Sequence, residues 1–328
     1  MSGREQLSRV LVAGGAGFLG SHLVERLVND GVAVDVVDDL STGALAHLGD
    51  ARAARERAVS IHTLDVRAPG LVDLAQRRQP DVVVHLAQRS AADPDDRDAA
   101  ELALVGTMNV LDAARAAGAR KVVLVFDGAD VYGEVGAREL PVKEGHRSPA
   151  VTTGQVVARA LLDLAAVHRA RHALEFTALA LADVYGPRQR PESGLVAALV
   201  ADPSGRAIDP RAQLDAVYVD DAVDAIVRAT VRGTGLLVNI GTGQAVPAKD
   251  VQRRIVELRA RTEAAAPDGP VPTVVLRPRP QRLTLSPVRA RIHLGWEAYT
   301  PLAEGLAATM AWWAERPAPA PGPGVTPS

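Results

Sequence analysis

The chain of 328 residues contains no cysteine, only three lysines, and no apolar run near the roughly 20 residues needed to cross a bilayer. Without cysteine there are no disulfides, no thiolate zinc sites and no thiol nucleophile. The lysines are Lys121, Lys143 and Lys249, so few ammonium groups exist to act as acids or electrophiles. The bias toward arginine and alanine fits a high-GC genome and says little about function. Net charge is −2, which gives no excess of one sign to hold nucleic acid or an anionic membrane. The opening MSGREQLSRVLVAGG reads as a strand, not a signal peptide, and a cytoplasmic location is expected. No metal site is expected.

What is present is a strong alternation. Short runs rich in Val, Ile and Leu fall at 9–14, 32–38, 58–65, 81–87, 120–126 and 175–182. Between them, helical periodicity covers 18–31, 97–118 and 153–171. Buried parallel strands joined by helices predict an α/β fold: a doubly wound parallel sheet of Rossmann type with right-handed crossovers. After about residue 183 the rhythm breaks into turns, a strand at 236–240 and helices near 247–260 and 302–315. This predicts a smaller, mixed C-terminal lobe over 183–316, interleaved with the first domain over 1–182. The tail 317–328 is rich in proline and expected to be disordered.

The sharpest local signal is 14-GGAGFLG-20, directly after the first strand. Glycine at 14, 17 and 20 permits a tight turn, close approach of a pyrophosphate and close packing of helix on strand. The second strand ends 37-VDDLSTG-43, which puts Asp38 where it can accept hydrogen bonds from ribose hydroxyls. Together these predict a dinucleotide held by Gly14, Ala16, Gly17, Phe18, Leu19, Asp38, Asp39, Leu40 and Ser41. A carboxylate at 38 repels a 2′-phosphate and favours NADH, with NADPH left open.

With these motifs the chain resembles the extended short-chain dehydrogenase/reductase family, the NAD-dependent epimerases and dehydratases of nucleotide sugars. The likeness includes 11-LVAGGAGFLGSHLVERL-27, 65-DVR-67, 81-DVVVHLA-87, 106-GTMNVLDAA-114, 130-DVYG-133, 183-DVYGPRQ-189, 217-VYVDDAVDAI-226, 239-NIGTG-243 and 294-LGW-296. It implies that Asp65 and Val66 lie against the adenine, and that Leu86, Ala87 and Gln88 line the pyrophosphate and nicotinamide ribose. It also implies that the first domain holds the cofactor and the C-terminal lobe the substrate. Relatives often form a homodimer through the two long helices, and 99–117 is apolar enough to do so, while the same apolar positions could all be needed against the sheet.

The family's chemistry uses a tyrosine acid/base, a lysine four residues later and a Ser or Thr hydroxyl. Where the hydroxyl belongs, four residues before Tyr132, the chain has Gly128. The segment 149–159, where the pair belongs, holds neither tyrosine nor lysine in any register. The supporting asparagine is Ala103, the asparagine before VYGP is Asp183, and the arginine that would grip a diphosphate is Leu214.

These losses lead to an expectation of an atypical NAD(P)H-dependent ketoreductase. The chain resembles the atypical angucyclinone ketoreductases of this family, which lack the usual active-site residues, and that resemblance implies an aromatic ketone substrate in antibiotic biosynthesis, with a neighbouring phenol on the substrate assisting protonation. Small residues in place of the catalytic set would open room for a flat ligand. Asp127, Asp130, Thr152 and Thr153 are candidate proton donors, each with a plain alternative as a loop or helix cap. Ser90, Gly128, Tyr132 and Asp183 are candidate substrate contacts. A dinucleotide-binding protein without catalysis is the alternative, and a nucleotide-sugar epimerase or dehydratase is the less favoured one. His85 reads as structural, and Trp296, Trp312 and Trp313 as core of the C-terminal lobe.

Overall fold

The computed structural model describes residues 7–55, 58–89, 96–205, 209, 211–262 and 282–315. Its first half runs β1 (Arg9–Ala13), α1 (Phe18–Asn29), β2 (Ala33–Asp38), α2 (Gly49–Ala54), β3 (Val59–Thr63), α3 (Gly70–Arg78), β4 (Val82–His85), α4 (Arg97–Ala116), β5 (Lys121–Asp127), α5 (Gly128–Tyr132), α6 (Thr153–His172) and β6 (Glu175–Leu181). All six expected strands are therefore present. Outside the edge strand β3, their β-branched residues are buried on both faces, as a sheet covered by helices on both sides requires.

The second half runs β7 (Asp183–Tyr185), α7 (Leu195–Ala201), β8 (Gln213–Leu214), β9 (Ala216–Tyr218), α8 (Val219–Ala229), β10 (Leu236–Ile240), β11 (Val246–Pro247), α9 (Ala248–Thr262) and α10 (Leu302–Glu315). Strand β10 does not stay with its sequence neighbours. It pairs in parallel with β6, Leu236 against Thr177 through Ile240 against Leu181, and closes one edge of the main sheet. The sheet therefore has seven strands in the order β10-β6-β5-β4-β1-β2-β3. Helix α8 packs beside α1 on one face, and α4 lies between α3 and α6 on the other.

What remains of the second half forms a small core of its own, with Tyr185, Val196, Leu199, Leu214, Val251, Ile255 and Leu306 at its centre. Trp296 is not part of it. Its ring is buried in the main core, and its indole N–H donates to the Asp221 carbonyl at 2.8 Å. Trp312 and Trp313 are only partly buried and meet edge to face. Leu104 and Met108 of α4 and Val156 and Val167 of α6 remain exposed on the outer face of that helix pair. No helix among the described residues is long and apolar enough to cross a membrane. The expected disordered tail, 317–328, lies outside the described residues.

Candidate functional site

The strand order reverses between β1 and β4, and in such sheets the crevice beyond the strands' carboxyl ends at that point takes the ligand. Here the crevice is bordered by the glycine turn. Gly14 has φ +82°, and a Cβ on it would stand 2.7 Å from the Ala87 nitrogen. A Cβ on Gly20 would stand 2.0 Å from the Gly14 carbonyl oxygen. No side chain fits at either position, so α1 starts close against the turn. Its N-terminus at Gly17 has no side-chain cap and no acid in the first turn, which leaves its N–H groups open to an anion. Phe18 and Leu19 form that first turn and pack partly buried against the core.

Asp38 ends β2 with both carboxylate oxygens engaged. One accepts from the Ala16 N–H at 2.8 Å and the other from the Leu40 N–H at 2.9 Å. This ties the strand end to the glycine turn, and Leu40 takes φ +62° to complete it. Asp39 points outward and accepts from the Ser41 N–H and hydroxyl. On the neighbouring loop Arg67 clasps the Asp65 carboxylate at 2.7 Å, which holds that carboxyl below its ordinary range. Val66 is buried over Gly106, and its carbonyl accepts from the Asn109 amide.

Leu86 continues from β4 through a bond from its N–H to the Ala13 carbonyl. The Gln88 amide nitrogen is buried with no partner among the described residues. An orphaned donor, an uncapped helix and a turn with no room for side chains fit a dinucleotide. Beneath this loop His85 is fully buried, its Nε2 paired with the Thr107 hydroxyl, and burial lowers it to about 4. It is a neutral structural group, as its place in the strand predicts.

The other side of the crest, beyond β5 and β6, offers less. Asp127 caps α5 by accepting from the Ala129 N–H at 2.9 Å. Gly128 is buried, and a Cβ there would meet the Leu181 carbonyl oxygen at 2.8 Å and Leu285 Cδ1 at 3.0 Å. The space a serine or threonine would need is thus already filled. This corrects the expectation that small residues widen the site for a flat ligand, since Leu285 occupies the room released at 128. Tyr132, an expected substrate contact, lies inside the core. It is fully buried, its hydroxyl donates to Asn239 Oδ1 at 2.5 Å, and burial pushes the phenol above its ordinary value.

Thr152 is the N-cap of α6, accepting from the Gln155 N–H at 3.3 Å, while Gln155 reaches back to the Val151 N–H at 2.7 Å. The pair is a variant of the capping box, so the hydroxyl serves the helix. Thr153 is the first helical residue. Asp130 differs from these. Its Oδ1 lies 3.1 Å from where a Cβ on Gly154 would be, in the first turn of α6. Of the four candidate proton donors, it alone sits on α5 and faces α6. Asp183 accepts from the Asp215 N–H at 3.2 Å, and Leu214 is buried in the small C-terminal core. Ser90 lies outside the described residues.

Two residues that the sequence reading missed hold the crest together. Asp215 accepts from the N–H groups of Thr242 and Leu285 at 2.7 and 2.9 Å, and burial raises its carboxyl. Glu144 accepts from the Asn239 N–H at 3.1 Å and lies near Arg289. The only hint in the sequence was an acid within an otherwise apolar run at 214–219.

The sequence model of the NAD dependent epimerase/dehydratase family matches residues 10–241. A UDP-glucose 4-epimerase of Mycolicibacterium smegmatis is 36% identical over 319 residues, covering 92% of this chain and 97% of that protein. A dTDP-glucose 4,6-dehydratase of Streptomyces griseus is 30% identical over 320 residues, covering 93% and 94%. Among solved structures, the UDP-glucose 4-epimerase of Thermotoga maritima with UDP-glucose superposes with a TM-score of 0.79 at 27% identity, covering 93% of this chain and 98% of that one. The Thermus thermophilus UDP-glucose 4-epimerase, solved as a complex with NAD, gives 0.78 at 27% identity, covering 94% and 99%.

These likenesses along the full chain overturn the expected aromatic-ketone reductase of antibiotic biosynthesis. The relatives work on nucleotide sugars, and nothing in them points to a polyketide. The members of the family they represent are NAD-dependent enzymes. By sequence, fold and cradle alike, this chain belongs to the NAD-dependent epimerase/dehydratase family.

Proposed function

We propose that the chain is a cytoplasmic NAD-dependent enzyme of epimerase or dehydratase type, acting on a UDP-sugar, in which a carboxylate stands in for the tyrosine–lysine pair. One observation carries this: 36% identity to a UDP-glucose 4-epimerase over nearly the whole chain, together with a cradle built without an obstructing side chain. Gly14, Gly17 and the first turn of α1 would hold the pyrophosphate, Asp38 the adenosine ribose, and Asp65 and Val66 the adenine. Leu86, Ala87 and Gln88 would face the nicotinamide half. Asp38 with Asp39 beside it supports NAD over its 2′-phosphorylated form.

When bound, the cofactor supplies hydride exchange. The chain's own task is to orient the sugar and move its hydroxyl proton. Asp130 is the carboxylate placed to accept that proton and return it. A carboxylate is a weaker base than a tyrosinate, so exchange slower than in tyrosine-bearing relatives is expected. With Leu214 buried, the diphosphate is held without the family's arginine, and weak UDP-sugar affinity belongs to the same reading.

A second reading has its own observation: Gly128, Gly154 and a segment 149–159 free of tyrosine and lysine. Under it the chain binds the same ligands and turns over nothing. The deciding experiment incubates the protein with NAD+ and either UDP-glucose or UDP-galactose and separates the sugars by anion-exchange chromatography. Interconversion that is lost in Asp130→Asn supports the enzyme. Binding of both ligands without conversion supports the second reading, and failure to bind NAD defeats both.

A further inference from the structure

Building on the NAD-binding reading, we infer that Arg67 takes the Asp65 carboxylate out of base recognition, so that this chain binds a dinucleotide carrying an oxopurine about as well as NAD itself. The sheet fixes where the base falls. With the pyrophosphate at the open N-terminus of α1 and the ribose at Asp38, the base lies one strand further out, over the loop after β3. That loop starts beside Asp38. The Leu64 N–H donates to the Asp38 carbonyl at 3.1 Å, and Asp65 follows it. Adenine and hypoxanthine differ at one ring position, where the first carries an amino donor and the second a carbonyl acceptor. A free carboxylate there would select the amino group.

The two carboxylates on this side of the crest are occupied to different degrees. An ionised carboxylate offers about four lone-pair sites. At Asp38 the Ala16 and Leu40 N–H groups take one site on each oxygen, which leaves one on each for a ribose hydroxyl. At Asp65 both oxygens are covered twice. Oδ1 accepts from the Arg67 backbone N–H at 2.8 Å and from its Nε at 3.1 Å. Oδ2 accepts from the same Nε at 3.0 Å and from Nη2 at 2.7 Å.

The clasp is braced from the other side. Arg67 Nη1 donates to Asp98 Oδ1 at 2.8 Å, and Asp98 Oδ2 accepts from Arg89 Nη2 at 2.8 Å. Asp98 stands in the first turn of α4, where the helix dipole favours a carboxylate. To turn its acceptor toward a base, Asp65 would have to break a forked ion pair. What this loop still offers is the second hydrogen on each terminal nitrogen of Arg67. A donor of that kind suits the carbonyl of an oxopurine and gives an amino group nothing. The Val66 side chain is apolar and does not tell the two bases apart.

The test is equilibrium titration of NAD+ and of nicotinamide hypoxanthine dinucleotide on the full chain and on three variants. Arg67→Met keeps the length of the side chain and frees the carboxylate. Asp65→Ala removes the acceptor and does not depend on the first variant folding, and the double variant joins the two. The wild type is expected to bind the two dinucleotides within about threefold of each other, and Arg67→Met to raise the preference for NAD+ about tenfold, the worth of one hydrogen bond to a carboxylate. Asp65→Ala alone should leave the ratio unchanged, and the double variant should lose the gain. A wild type that already prefers NAD+ about tenfold, and loses that preference in Asp65→Ala, overturns the inference and leaves NAD binding standing. Equal affinities that Arg67→Met does not separate overturn it as well. A wild type that binds neither dinucleotide defeats the NAD reading and this inference with it.

Discussion

The two sides of the sheet's carboxyl crest are made from the same kind of strand, yet they hold opposite resources. On the β1–β2–β3 side the backbone does the work. Gly14, Gly17 and Gly20 clear the space, and Asp38 locks the turn through the Ala16 and Leu40 N–H groups. On the β5–β6 side the expected reactive positions are Gly128 and a segment, 149–159, that holds neither tyrosine nor lysine. The lesson is that cofactor binding and proton transfer rest on separate parts. Backbone geometry is fixed by sterics and keeps its form, whereas a proton-transfer group is one side chain that can be exchanged while the fold stays intact.

The most forceful way to break this contrast is Gly20→Val. Its Cβ would lie 2.0 Å from the Gly14 carbonyl, and a backbone atom cannot swing aside as a side chain can. The turn and α1 must separate, which removes the donors a pyrophosphate needs. NAD affinity should fall about 100-fold or more, seen by fluorescence titration. An unchanged affinity would mean the cofactor does not use this turn.

That half of the molecule was legible because its signals are local. The runs at 9–14 and 32–38 and the glycine spacing each specify structure within a dozen residues. β10 was not, because LLVNI suits either a lobe strand or a sheet edge, and only its pairing with β6 decides. Helix α8 carried the right pattern, with Val219, Ala222, Val223 and Ile226 on one buried face, but was read only as a motif. On the β5–β6 side the deciding contacts come from far along the chain. Leu285 fills the space at Gly128, and Asn239 binds the Tyr132 hydroxyl. The losses at 128 and 149–159 were plain in the sequence, but their meaning was not. They suggested an enlarged pocket and a new substrate class, where the relatives point to nucleotide sugars.

Putting a hydroxyl back sharpens the comparison. Gly128→Ser must push against Leu181 O and Leu285 Cδ1, so it should cost about 1–3 kcal/mol in thermal or urea unfolding. Leu285→Ala alone should cost about 2–5 kcal/mol through the cavity it leaves. Combined, the two should cost less than their sum, because the alanine yields the room the serine needs. Strict additivity would show that Leu285 is not what excludes a side chain at 128.

The smallest effect separates a buried tyrosine from a reactive one. Tyr132→Phe removes the hydroxyl that donates to Asn239 Oδ1, while the Asn239 amide still donates to the Val142 carbonyl at 2.9 Å. One buried acceptor is left unpaired, a loss of about 1–2 kcal/mol in unfolding free energy. Because the phenol is fully enclosed, NAD affinity and any conversion of UDP-sugars should not change. A variant that kept its stability but lost ligand affinity or turnover would place Tyr132 among the groups that touch substrate. The β5–β6 side would then hold a tyrosine acid of its own, and its contrast with the cofactor side would fail.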